Sequence, residues 1–130
     1  MSISDARTRV LIVDDECVIA DSLALILNKS GFEARAVYSG ERAVEVANML
    51  QPQVLISDIV MEGMNGIQTA ILISGSWPNC RVILFSGNAA TADLLQHAAA
   101  EGHCFELLSK PIHPRVLIDH LSGPQLLASA

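Results

Sequence analysis

Positive charge is scarce in this sequence. Eight Lys and Arg stand against fourteen Asp and Glu in 130 residues, for a net charge of −6. The basic residues are scattered, which argues against direct nucleic-acid binding, because phosphate contacts need clustered Lys and Arg. Long apolar runs are also lacking: none approaches the roughly 18 residues that span a bilayer. Residues 1–9 include Asp5 and have no apolar core of the signal-peptide kind. The expectation is a soluble, cytoplasmic protein with no membrane attachment. Cysteine is limited to Cys17, Cys80 and Cys104. That odd number, widely spaced, indicates neither a disulfide framework nor a zinc site, so all three read as reduced and mostly buried thiols. His97, His103, His113 and His120 show no metal-ligand spacing and read as surface or loop residues. Internal repeats, linkers and low-complexity segments are absent.

What is abundant is apolar surface: 51% of residues are hydrophobic and only 17% charged. At this length the chain reads as one domain, residues 1–130, able to bury a core without staples. Its patterning alternates between two kinds of segment. Arg9-Val10-Leu11-Ile12-Val13, Val54-Leu55-Ile56 and Arg81-Val82-Ile83-Leu84-Phe85 are apolar runs without alternation, as in strands buried on both faces of a parallel sheet. Residues 32–38 form a more polar strand suited to a sheet edge, and residues 104–109 supply a fifth. Between them, residues 16–30 carry Ile19, Leu23, Ile26 and Leu27 at helical spacing, stopped by Gly31. Ser39 caps a second helix that Pro52 closes. A third runs over 66–74, with 75–79 as the turn after it. A fourth, alanine-rich, spans 90–101 before Gly102, and His113-Pro114 opens the last, to about residue 121. Five strands alternating with five helices imply an α/β, doubly wound, five-stranded parallel sheet with right-handed crossovers. The common order for five such units is 2-1-3-4-5, the flavodoxin-like arrangement, with its switch point between strands 1 and 3.

On that topology the polar residues converge. Asp14 and Asp15 end strand 1, Asp58 ends strand 3, Ser86 ends strand 4 and Lys110 ends strand 5. Taken singly, each could be a cap or a turn residue. Together they occupy one edge of the sheet, with the acids straddling the switch point, where open α/β sheets bind ligands. Three carboxylates that close repel by a few kcal/mol per pair at an effective dielectric of about 20. Lys110 offers one compensating charge and a divalent cation would offer two. An acid-rich, oxygen-only site suits Mg²⁺ better than zinc. The hydroxyl of Ser86 and the ammonium of Lys110 can bind further oxygens, as a phosphoryl group presents. The chemistry indicated is phosphoryl transfer to a carboxylate.

These residues also carry a resemblance. Leu11-Ile12-Val13-Asp14-Asp15-Glu16, Asp58-Ile59-Val60-Met61 with Gly63-Met64 and Gly66, Ser86-Gly87 and Lys110-Pro111, in this order and spacing, resemble the receiver domains of two-component response regulators over about residues 9–121. The resemblance implies a phosphoacceptor signalling module. Asp58 would take a phosphoryl group from a sensor histidine kinase or phosphotransfer protein, and a partner-binding surface on helix 4, strand 5 and helix 5 would switch toward a downstream protein. It implies Asp15 as a direct Mg²⁺ ligand, Asp14 acting mainly through water, and Asp58 and the Val60 carbonyl completing the protein's share. Ser86 and Lys110 would bind phosphoryl oxygens, and the Lys110–Pro111 peptide would be cis. Beyond its own phosphorylation and dephosphorylation, such a module is not an enzyme. Two positions depart from the family pattern. Glu62 stands where members usually carry Pro, and Leu107 where they carry the switch aromatic; Phe105, two residues earlier, would share Leu107's side of the strand.

Two other readings use the same residues. A Mg²⁺-dependent phosphatase or nuclease could employ Asp14, Asp15 and Asp58, although aspartyl-phosphate hydrolases usually place an acid where Val60 stands. A phosphate-independent interaction module is the other, although degenerate relatives tend to lose site residues and all five are present here. Residues 122–130 read as a short tail, too short for an output domain.

Overall fold

The computed structural model describes residues 7–87, 91–103, 105–111 and 113–122. The elements follow in strict alternation: β1 (Arg9–Val13), α1 (Cys17–Lys29), β2 (Glu33–Val37), α2 (Gly40–Leu50), β3 (Val54–Asp58), α3 (Gly66–Ser76), β4 (Arg81–Ser86), α4 (Thr91–Ala100), β5 (Glu106–Ser109) and α5 (Pro114–Ser122). All strand pairs are parallel, in the order β2-β1-β3-β4-β5. This is the doubly wound, flavodoxin-like sheet that the sequence implies. Val13 pairs with Ser57 and Ser57 with Leu84, so β1, β3 and β4 end level at their carboxyl edge.

The unbroken apolar runs acquire their meaning here. Side chains alternate between faces, and both faces are covered. Leu11, Val13, Leu55, Val82 and Leu84 pack into the core beneath α2, α3 and α4. Val10, Ile12, Val54, Ile56, Ile83 and Phe85 pack beneath α1 and α5. β2 alternates between exposed and partly buried positions up to Val37, as an edge strand does.

Several boundaries and faces differ from expectation. α3 continues through Gly75 and Ser76. Gly75 faces open space, so its cost is only about 1 kcal/mol of helix propensity, and the half-buried Trp77 anchors the end by donating its N–H to the Ile73 carbonyl at 2.7 Å. The buried stripe of α1 is Ala20, Leu23, Ala24 and Leu27; of the expected positions Leu23 and Leu27 are in it and Ile19 packs against the same core, whereas Ile26 does not. α4 ends at Ala100 and α5 reaches Ser122; the expected helix start at Ala90 falls outside the described residues. β5 begins at Glu106, so Phe105 precedes the strand and packs against the α2–α3–α4 core, whereas Leu107 is exposed. Cys17 is exposed and opens α1, contrary to the expected burial. Cys80 is buried, and that burial pushes its thiol up to about 12; Cys104 lies outside the described residues.

His120 is not simply a surface residue. Its Nε2 lies 2.7 Å from Glu106 Oε1, and Arg81 donates to both oxygens of the same carboxylate at 2.7 and 3.0 Å. This cluster ties α5 to β4 and β5 at the edge opposite the carboxyl ends. Burial alone would raise the Glu106 pKa, but the Arg81 and His120 hydrogen bonds hold it below its ordinary value of 4.5. A depressed acid adds stability that is fully present above its unfolded pKa and lost as pH falls through the folded one. Glu106→Gln is therefore expected to lower unfolding free energy by about 1–2 kcal/mol at neutral pH. The deficit should shrink as pH falls below 4.5, read by denaturant unfolding at a series of pH values. A deficit independent of pH would contradict the assignment.

Candidate functional site

The site lies where β1 and β3 end. Asp14, directly after β1, keeps the strand's register by donating its backbone N–H to the Val37 carbonyl at 3.2 Å. Its side chain turns inward and is only 2% exposed. Oδ1 accepts the Glu16 N–H at 2.9 Å, a turn that starts α1, whose N-cap Glu16 makes no side-chain cap of its own. Asp15 next to it is exposed and accepts the Glu62 N–H on Oδ2 at 3.3 Å. Asp58 closes β3 at 8% exposure.

The chain must leave Asp58 and enter α3 within a short loop. Ile59 still donates to the Phe85 carbonyl at 3.1 Å, and Gly66 donates back to the Ile59 carbonyl at 2.8 Å. A Cβ on Gly66 would run into the Asp58 carbonyl oxygen, so only glycine lets the start of α3 close onto the strand end. Asn65 and Gln68 then form a reciprocal capping box that fixes where α3 begins.

Lys110 arrives from β5. Its backbone N–H donates to the Ser86 carbonyl at 2.9 Å, and its stem passes Gly87, where a Cβ would sit 3.3 Å from the Lys110 Cβ. The Lys110–Pro111 peptide is cis, the isomer that the resemblance implies. The ammonium reaches Asp58 Oδ2 at 3.1 Å and stands 3.7 Å from Asp14 Oδ2. Burial works against the charge on Lys110, yet the hydrogen bond it donates to Asp58 and the charges of Asp58 and Asp14 outweigh it and hold the ammonium above its ordinary pKa. Asp14 is raised, chiefly by burial, against the pull of the Glu16 N–H and Lys110.

One oxygen from each of Asp14, Asp15 and Asp58 lies within 4.8 Å of the others. Among the described residues Asp14 Oδ2 is buried without a hydrogen-bond partner, the Lys110 ammonium at 3.7 Å standing beyond hydrogen-bond distance. A buried carboxylate oxygen in that state costs free energy unless something positive or protic meets it. An all-oxygen, acid-rich set with one orphaned acceptor fits a hard divalent cation such as Mg²⁺. The sequence-derived candidates are thus brought together at one edge: Asp14, Asp15, Asp58 and Lys110 directly, with Ser86 closing β4 beside Lys110. Val60 sits in the loop after Asp58 with its side chain 56% exposed. Asn88, two positions after Ser86 and implied by the resemblance to flank the approach to the acceptor, lies outside the described residues.

One residue at this edge has no counterpart among the sequence candidates. Glu41, in the first turn of α2, accepts the Met64 N–H on Oε2 at 3.1 Å. In sequence it reads only as an acid suitably placed at a helix start. The contact joins residues 23 positions apart, and no local pattern signals it.

A family model described as the response regulator receiver domain matches residues 10–122. The chemotaxis protein CheY of Thermotoga maritima is 32% identical over 115 residues, covering 88% of this chain and 94% of that protein. The DNA-binding response regulator MtrA of Mycobacterium tuberculosis is 25% identical over 112 residues, covering 86% of this chain but 48% of that protein. The chain therefore spans about half the length of MtrA. Among solved structures, chemotaxis protein CheY4 of Vibrio cholerae superposes with a TM-score of 0.79 at 24% identity, over 89% of this chain and 97% of that one, a likeness of fold.

Proposed function

This chain belongs to the response regulator receiver domain family, and from that premise we propose that it is a phosphoacceptor module in which Asp58 carries the signal. The observation that carries this reading is the Lys110 ammonium, 3.1 Å from an Asp58 oxygen and beside the acid cluster of Asp14 and Asp15. A phosphohistidine on a sensor histidine kinase or phosphotransfer protein is the proposed donor, which places the exchange in the cytoplasm. An Asp58 carboxylate oxygen attacks phosphorus, a P–O bond forms, the P–N bond breaks, and the imidazole leaves with the bonding pair. The product is an acyl phosphate. Asp14, Asp15, Asp58 and the Val60 carbonyl would hold Mg²⁺, which when bound supplies positive charge to the oxygens of the transferring group. Lys110 moves from its pair with Asp58 onto a phosphoryl oxygen, and the Ser86 hydroxyl donates to another.

The proposed output is a changed surface on α4, β5 and α5, offered to a downstream protein. Because Leu107 is aliphatic and 46% exposed while Phe105 packs into the core, that change would not depend on an aromatic swing at position 107. A hydrolase using the same acids is not favoured. The residue two positions after Asp58 is Val60, which has no group able to act as a second acid or base.

The direct test is incubation of the purified chain with acetyl phosphate and Mg²⁺, followed by peptide mapping. A phosphoryl group on Asp58, lost when a chelator is present, is the expected result; labelling elsewhere, or none, contradicts the proposal. The metal assignment has its own test. Asp15→Ala should weaken Mg²⁺ binding by at least about tenfold, the cost attached even to losing an outer partner of a ligand. Asp14→Ala should cost less, since the resemblance gives Asp15 direct contact with the metal and Asp14 a role mainly through water. Calorimetric titration of both variants reads this, and equal losses would contradict the division of roles.

A further inference from the structure

The loop from Ile59 to Asn65 carries Val60, whose carbonyl is the one backbone ligand in the proposed metal set, so its position decides whether that set is complete before the metal arrives. Nothing in the loop's own composition stiffens it. It holds no proline, and Gly63 sits at φ +74°. The buried Met61 side chain anchors one point in the core. The loop's ends are held at the buried Ile59, bonded to the Phe85 carbonyl, and at Asn65 in the α3 capping box; between them two carboxylates from elsewhere in the fold accept from its backbone, Asp15 from the Glu62 N–H and Glu41 from the Met64 N–H. The first of these tethers belongs to a proposed metal ligand. Of these two carboxylates, Glu41 is the one outside the proposed metal set.

The surroundings of Glu41 favour this role. Ser39 caps α2 by accepting the Arg42 N–H at 3.1 Å, so the Glu41 carboxylate is not spent on capping its own helix. It lies over the Gly63 backbone, where a Cβ would come within 2.9 Å of Oε2. Gly40, directly before it, has no room for a Cβ against the Thr69 hydroxyl, and this close approach of α2 to α3 brings Glu41 within reach of the loop. The carboxylate itself is exposed and borders an open groove lined by Gly63, Met64, Gln68, Ile71 and Leu72. Truncating it removes no core packing.

We propose that Glu41 is a positioning residue of the phosphoacceptor site: its carboxylate oxygen, bound to the Met64 N–H, holds the Ile59–Asn65 loop where the Val60 carbonyl can join Asp14, Asp15 and Asp58 around a divalent cation. The proposal rests on the reading of that site given above. The contact needs an acceptor oxygen and not a charge, which separates it from a favourable acid at a helix start. Glu41→Gln keeps the acceptor and loses the charge, while Glu41→Ala loses both.

The test uses ¹⁵N-labelled full chain, wild type and both variants. In metal-free protein, amide exchange at Met64 should accelerate about three- to tenfold in Glu41→Ala, what one net hydrogen bond is worth, and stay near wild type in Glu41→Gln. Titration with Mg²⁺, followed by amide shifts at the carboxyl edge, should show half-saturation raised by a similar factor in Glu41→Ala and largely restored in Glu41→Gln. Wild-type half-saturation in Glu41→Ala, or equal impairment in the two variants, overturns the proposal. A wild type that binds Mg²⁺ but takes no phosphoryl group on Asp58 would sink the phosphoacceptor reading alone, with the role of Glu41 in holding the cation site still decided by the titration.

Discussion

Asp58→Asn is expected to abolish phosphoryl labelling while leaving the protein folded. The amide is nearly the same size as the carboxylate and is a far weaker nucleophile, so the chemical step loses its acceptor and little else moves. Asp58 is packed at 8% exposure at the end of β3, but what it contributes there is a pair with Lys110, and an amide oxygen can still accept from that ammonium. Removing one of three crowded acids also relieves repulsion. Net stability should therefore shift by no more than about 1–2 kcal/mol in either direction. Labelling with acetyl phosphate and Mg²⁺, run beside a thermal unfolding curve, reads both halves of the expectation. A folded Asp58→Asn protein that still takes up phosphoryl groups would move the acceptor to another residue.

The second large effect concerns how long the signal lasts. Hydrolysis of an acyl phosphate on Asp58 needs a water in line with the breaking bond, on the side away from the carboxylate. By family resemblance, the residue two positions after the acceptor flanks that approach, and here it is Val60. Its side chain stands 56% exposed in the loop, stiff at its branched β-carbon and without a hydrogen-bonding group. It can crowd a water and cannot orient one. Loss of phosphate should accordingly be slow. Val60→Asn should accelerate it roughly five- to thirtyfold, the equivalent of one positioning contact of about 1–2 kcal/mol. Decay of the purified phosphoprotein in excess Mg²⁺, with the donor removed, gives the rates; an unchanged or slower decay in Val60→Asn would rule out this role.

Most of the fold was legible because its signals are local. Three uninterrupted apolar runs, each closed by a polar residue, mark strands covered on both faces. Gly31 and Gly102 stop their helices at positive φ as the pattern requires. Strand order was not derivable from these runs; it followed from the usual order for five alternating units. On α1 the periodicity of Ile19, Leu23 and Leu27 marks the face that packs on the sheet, but it passes over Ala20 and Ala24, which are buried there too, because alanine carries little hydrophobic signal. The end of α3 was misplaced because Gly75-Ser76 looks like a turn, and the packing of Trp77 that extends the helix is tertiary.

The site divides in the same way. Asp14, Asp15, Asp58, Ser86 and Lys110 could be collected from sequence because each ends a strand, and topology alone brings strand ends together. Glu41 and the Arg81–Glu106–His120 cluster could not. Their contacts join residues 23, 25 and 14 positions apart, between helices, strands and a loop whose mutual approach depends on packing. Gly66 was recognised as part of a motif. Its physical reason, the Asp58 carbonyl in the space its Cβ would need, appears only in three dimensions.

The central claim is that Asp58 accepts a phosphoryl group with a divalent cation beside it and that the change spreads to a partner surface. Amide spectra of the ¹⁵N-labelled chain with Mg²⁺ and beryllofluoride, a stable mimic of the phosphoryl group, address it most directly. The expected result is saturable shifts at Asp58 to Val60, at Ser86 and Gly87 and at Lys110, extending along α4 into β5, and absent in Asp58→Asn. Spectra unchanged by the mimic, or shifts that persist in Asp58→Asn, would contradict it.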